Sequence, residues 1–221
     1  MNILVIAPHA DDEVLGCGGM IARRTSEGHR VDVVVVATGG IKGRHLDYTP
    51  GVAQRLNEFE QSCNILGAVA NQVLYLTKDM MMDTIPRLEL VTKLDEVLDF
   101  YDFDEVYIPC PGFNHDHAAV YNAAYAALRL TTGRRPPSLV ALYEYTFSAW
   151  NPGKVHGGKM YVELTSEHMI KKLEAFAAYK SQVKPAPHPS SLTAIKILAQ
   201  QRGIECGADY AELFYIQRMI A

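Results

Sequence analysis

Two runs of aliphatic residues near the start of the chain, Ile3 to Ala7 and Val31 to Ala37, constrain the fold more than any other feature. A strand wetted on one face alternates apolar and polar residues; a run apolar on both sides belongs to a strand covered on both faces. Between the runs, Glu13 to Glu27 reads as a helix with Val14, Leu15, Met20 and Ile21 as its apolar positions, and Gly28 is suited to close it. Strand, helix and strand within the first 37 residues form a βαβ unit, because parallel neighbours need a crossover of this kind.

The alternation continues along the chain. Helices are predicted over Val52 to Leu66 (ending at Gly67), Pro86 to Tyr101, His117 to Leu130 and Ser191 to Arg202. Strands are predicted at Val73 to Leu76, Glu105 to Pro109, Leu139 to Tyr145 and Met160 to Leu164. Ser166 is read as the cap of a helix to Tyr179 with Ile170, Leu173, Phe176 and Ala177 on one face, Lys184 to Pro189 as a loop, and Ala211 to Ile220 as an apolar segment of either type. The expected fold is therefore α/β: a Rossmann-like, doubly wound, mostly parallel sheet with helices on both faces, in one domain over residues 1–221.

Composition narrows the function. With 21 Lys and Arg against 25 Asp and Glu, the net charge is −4, so the footprint of a nucleic-acid or anionic-lipid binder is missing. Cys17, Cys63, Cys110 and Cys206 form no Cys-x-x-Cys pair and read as reduced core thiols. No segment has the length of a signal-peptide core or a membrane span, and a cytoplasmic protein is expected.

In an open α/β sheet, ligands bind beyond the carboxyl ends of the strands. Two loops at such ends carry chemistry: Pro8-His9-Ala10-Asp11-Asp12-Glu13 after the first strand, and Phe113-Asn114-His115-Asp116-His117 after Glu105 to Pro109. A catalytic zinc takes three ligands from His, Asp and Glu and keeps one position open. His9 and Asp12, three apart where strand becomes helix, can share one ion, with a third ligand from the other loop. Taken singly, each loop also fits helix-capping carboxylates and a surface imidazole. Gly16-Cys17-Gly18-Gly19 fails the dinucleotide fingerprint, since its third glycine falls at Ile21 and acidic groups crowd the turn; these small residues are expected to bring helix close to sheet.

Pro8 to Gly19 resembles the Pro-His-Pro-Asp-Asp-Glu opening, with its following glycines, of the LmbE/PIG-L family of zinc-dependent N-deacetylases. His115-Asp116-His117 is similar to the family's His-Pro-Asp-His motif, Arg55 with Glu58 to its Arg-x-x-Glu, and Ser181-Gln182 and Ala211-Glu212 fit its C-terminal part. The chain departs from the pattern at Ala10, where the family has proline, and in lacking a proline before Asp116. Anchored on the final Asp-His, the resemblance implies His9, Asp12 and His117 as metal ligands and Asp11 as general base. It further implies His115 as proton donor or oxyanion stabiliser, Asp116 as a carboxylate orienting an imidazole, and Arg55 as a substrate contact, although an exposed Arg55–Glu58 helix pair is an equal reading.

The function so implied is hydrolysis of an N-acetyl group on an amino sugar such as N-acetylglucosamine, or on a sugar conjugate, with Zn2+ or another divalent ion such as Fe2+ as cofactor. The expected partner is a small molecule; self-association is compatible with the sequence. A non-haem iron oxygenase with two histidines and a carboxylate is one rival, though it leaves Asp11 without a part, and a nucleotide-binding module is another. The loop Thr38 to Gly51, with Arg44, is a candidate for gripping substrate hydroxyls or an anionic group, or is a plain solvated connection.

Overall fold

The structure is a computed structural model that describes residues 1–39, 51–148, 155 and 157–221. Its strands are β1 (Asn2–His9), β2 (Arg30–Ala37), β3 (Val69–Tyr75), β4 (Glu105–Pro109), β5 (Leu139–Tyr143), β6 (Gly158–Leu164) and β7 (Tyr210–Met219). The α-helices are α1 (Asp12–Ser26), α2 (Val52–Leu66), α3 (Arg87–Phe100), α4 (His115–Ala127), α5 (Ser166–Ala178) and α6 (Leu192–Cys206). Among the described residues, one sheet takes all seven strands in the order β3-β2-β1-β4-β5-β7-β6. The five strands from β3 to β5 are parallel, while β7 runs antiparallel to both β5 and β6. Residues of α1, α2, α5 and α6 pack in the core on one face, and α3 and α4 pack on the other, which is the doubly wound arrangement expected.

Several local expectations are corrected. Strand β3 begins at Val69, four residues earlier than predicted, because it lies at the sheet edge, where Asn71 and Gln72 can face water. The ambiguous tail is strand β7, which pairing on both sides makes a strand. Thr165, not Ser166, caps α5: its hydroxyl accepts the His168 amide, and the His168 ring accepts the Thr165 amide in return. That helix buries Met169, Lys172, Ala175 and Phe176, whereas Ile170 and Ala177 face solvent. Cys17, Cys63 and Cys110 are buried free thiols, but Cys206 is exposed at the end of α6.

The glycines of α1 have a steric role. A Cβ on Gly16 would lie 2.2 Å from the ring of the fully buried Tyr143, and one on Gly19 would lie 2.3 Å from Leu164. The space they leave also admits a buried ion pair, Lys172 with Glu212. Glu212 accepts the amides of Gly19 (2.8 Å) and Met20 (2.7 Å), and Lys172 donates to the carbonyl of Leu15 (2.9 Å), so side chains from α5 and β7 enter the hydrogen bonding of α1. Gly16→Ala should destabilise the protein by about 1–3 kcal/mol, the usual scale of overpacking, read as a lower midpoint in denaturant titration.

Candidate active site

Strand order reverses between β1 and β4: from β1 the chain crosses to β2 and β3, then returns to the other side. The crevice beyond the carboxyl ends of these strands is the binding position such sheets offer. There β1 ends at His9 and α1 begins at Asp12, while β4 leads through Cys110 to Phe113 into α4. Asn114 caps α4 by accepting the Asp116 amide at 2.9 Å, placing Asp116 and His117 in its buried first turn.

Asp12 joins the two loops. Its Oδ2 accepts the His9 amide at 3.0 Å and lies 3.1 Å from both His9 Nδ1 and His117 Nε2. The ligand atoms of His9, Asp12 and His117 lie within 4.8 Å of one another, and all three residues are buried. Burial opposes ionisation of Asp12, yet His117 and His9 hold its carboxyl well below the usual range. On its other side His9 presents Nε2 to Asp116 Oδ2 at 2.8 Å and to Asp79 Oδ1 at 3.4 Å. Burial lowers the basicity of His9, but Asp116 and Asp12 outweigh it and raise the ring well above its ordinary value. His117 stacks on Tyr145 with ring centroids 4.8 Å apart, and its buried Nδ1 has no partner among the described residues.

This donor set suits a divalent first-row cation: two imidazoles and a carboxylate converge, and a second carboxylate backs one imidazole as outer ligands commonly do. Asp116 is itself anchored, for Oδ2 accepts the Met80 amide and Oδ1 the Met82 amide at 2.6 and 2.9 Å.

The remaining predicted residues occupy different surroundings. Asp11 is the N-cap residue of α1 but its side chain makes no capping bond, and its φ of 137° with ψ of −25° is strained for a residue with a Cβ, a cost of about 1–3 kcal/mol. Burial pushes its carboxyl well above the usual range; Arg55, 3.8 Å away, pulls it back, and Asp12 adds to the rise. His115 stands outside the donor set, half exposed, donating from Nε2 to the Met80 carbonyl at 3.0 Å and lying 3.5 Å from Asp116 Oδ1. Arg55 and Glu58 are not an exposed pair: both are buried, Arg55 donating to the Ala10 carbonyl and Glu58 accepting the Ser181 amide (3.0 Å) and hydroxyl (2.6 Å). Arg44 and nearly all of the loop around it lie outside the described residues.

Sequence reasoning missed Asp79, Tyr145 and the place of Glu13. Glu13 is fully buried, and burial lifts its carboxyl to about 7 although the Tyr179 hydroxyl and the Asp11 amide bind it. Its position in a run of three acids was visible, but its partner Tyr179 is 166 residues away.

The model of the family described as PIG-L, GlcNAc-PI de-N-acetylase, matches residues 4–128, more than half of the chain and the part that holds every donor above. The chain belongs to the PIG-L family. The uncharacterized deacetylase YaiS of Escherichia coli (strain K12) is 31% identical over 137 residues, 58% of this chain and 68% of that protein. Among solved structures, the conserved protein TT1542 from Thermus thermophilus matches with a TM-score of 0.76 and 26% identity, over 99% of this chain and 96% of its own. N,N'-diacetylchitobiose deacetylase from Pyrococcus horikoshii, complexed with its inhibitor MPG, matches with a TM-score of 0.75 and 24% identity, over 98% of this chain and 83% of its own. The PIG-L chain described here thus shares its fold along essentially its whole length.

If Asp116 fixes the His9 ring for a cation, Asp116→Asn should weaken zinc affinity by roughly 10- to 100-fold. Competition against a chromogenic chelator measures this, and an unchanged dissociation constant would show that the contact does not set the ring.

Proposed function

We propose that this protein is a divalent-cation-dependent amidohydrolase that removes the N-acetyl group from an amino sugar or sugar conjugate. The observation that carries this reading is the division between adjacent carboxylates. Asp12 is locked between two imidazoles, whereas Asp11 has Arg55 as its ion-pair partner among the described residues, and burial raises its pKa. Family membership supports the chemistry, and the sugar deacetylase sharing its fold supports the substrate class.

Held by His9, Asp12 and His117, a zinc ion, or another divalent ion such as Fe2+, would supply Lewis acidity, making water a better nucleophile and drawing charge from the acyl oxygen. Asp11 takes the proton of the attacking water; a carboxylate of raised pKa is a better base for this near neutral pH. Asp116 holds the His9 ring through Nε2, leaving Nδ1 facing the donor set. An amide nitrogen leaves badly as an anion, so an acid must protonate it, and His115 at the outer side of Asp116 is the imidazole assigned to that step. Arg55 commits Nη2 to the Ala10 carbonyl, but its buried Nη1 has no partner among the described residues and is assigned to a polar group of the substrate. Arg44 is assigned to the same task on sequence alone.

A panel of N-acetylated sugars assayed for acetate release tests the reading. Chelation should abolish turnover and zinc restore it. Asp11→Asn should keep the cation and lose at least about 100-fold in rate, while Asp12→Ala should chiefly lose the cation; an Asp11→Asn enzyme with both intact would refute the general-base role. His115→Ala should slow turnover by roughly a hundredfold with the cation retained.

A further inference from the structure

Glu13 is the third acid of the motif, fully buried, and has no part in the chemistry above. Its oxygens bind groups other than the cation donors. Oε2 accepts the amide of Asp11 at 2.9 Å, while Oε1 accepts the hydroxyls of Tyr179 and, at 3.4 Å, Ser62. The Asp11 amide belongs to the same planar peptide unit as the Ala10 carbonyl, which accepts from Arg55 Nη2. One peptide plane is therefore gripped at both polar ends by buried side chains from different helices. Tyr179 links the grips, because its hydroxyl binds Glu13 and its ring lies 5.6 Å beneath the Arg55 guanidinium.

The gripped peptide sets φ of Asp11, which sits at 137°, a region that L residues avoid. Left alone, the residue would relax by rotating this peptide, and its carboxylate would move with it. Strain of this kind persists only where the surroundings over-determine it. We infer that Glu13 and Tyr179 are positioning residues: with Arg55 they clamp the Ala10–Asp11 peptide and so hold the Asp11 carboxylate beside the cation donors. This rests on the proposed role of Asp11 as base. The three consecutive acids then have three tasks: Asp11 moves a proton, Asp12 holds the cation, and Glu13 fixes the backbone between strand and helix.

The test is a double-mutant cycle in the cation-loaded enzyme, paired with amide hydrogen exchange of the full chain. Glu13→Ala should lower kcat by roughly ten- to hundredfold, the scale of a small misplacement, with KM and bound cation unchanged. In the Asp11→Asn background the same change should cost less than about twofold, since there is no base left to misplace. Glu13→Gln, which keeps an acceptor for the Asp11 amide, should recover most of the loss. Tyr179→Phe, which removes one hydroxyl and leaves the fold's packing intact, should show a smaller loss with the same dependence on Asp11. Exchange in peptides spanning residues 8–14 should quicken by at least about tenfold in Glu13→Ala and Tyr179→Phe, and not elsewhere.

Equal losses of kcat in both backgrounds would overturn the inference and leave Glu13 a merely structural group. Should Glu13→Ala fail to fold, Tyr179→Phe alone decides between these outcomes. A wild-type enzyme that releases no acetate, or an Asp11→Asn enzyme that releases it at close to the wild-type rate, would defeat the functional reading instead. The exchange arm then decides the clamp by itself, and unchanged protection over residues 8–14 would overturn it.

Discussion

A single carboxylate oxygen, Asp12 Oδ2, lies 3.1 Å from two imidazoles that are 108 residues apart in sequence, and the site is organised around this junction. It requires β1 and β4 to be parallel neighbours, both ending at the same side of the sheet, with α1 and α4 starting from the short loops that follow those ends. The continuous apolar runs secure the first requirement by burying the strands on both faces. The second is met by local means: Asn114 caps α4, and the strained Asp11 turns the chain sharply from β1 into α1.

Burying so many ionisable groups is tolerable only if they are paired. His9 is flanked by Asp12 and Asp116, Glu13 by Tyr179 and Ser62, and Lys172 by Glu212. Seven buried side-chain atoms have no partner among the described residues, and two of them, His117 Nδ1 and Arg55 Nη1, belong to residues assigned to ligand contacts. Such polar atoms are costly in a resting core and useful in a site that binds something polar.

The parts of this arrangement that could be read from sequence are those set by short-range pattern. Val52 to Leu66 was legible because Gly67 supplies the left-handed cap that ends it, and Glu105 to Pro109 because an uninterrupted strand sits between turn-forming residues. Both site loops were legible because strand-end position and residue chemistry coincide in a few consecutive residues. What escaped depends on distant partners. Tyr210 to Met219 becomes a strand only by pairing with β5 and β6; Lys172 takes a core position because Gly18 and Gly19 leave room for it and for Glu212. Glu58 looked like half of an exposed helix pair, yet it binds Ser181, 123 residues onward. Asp79 approaches His9 from the loop after β3, where no spacing rule singles out an aspartate set between Lys78 and three methionines.

In the proposed site one cation is held by two imidazoles and one carboxylate drawn from the ends of β1 and β4. X-ray absorption spectroscopy of the zinc-loaded protein tests it most directly, because imidazole rings give a distinctive outer-shell pattern and thiolate ligands lie visibly farther out. The expected result is a nitrogen and oxygen shell at about 2.0–2.1 Å with two imidazoles, falling to one imidazole in His117→Ala. A sulfur shell at about 2.3 Å, or an imidazole count that His117→Ala leaves unchanged, would contradict it.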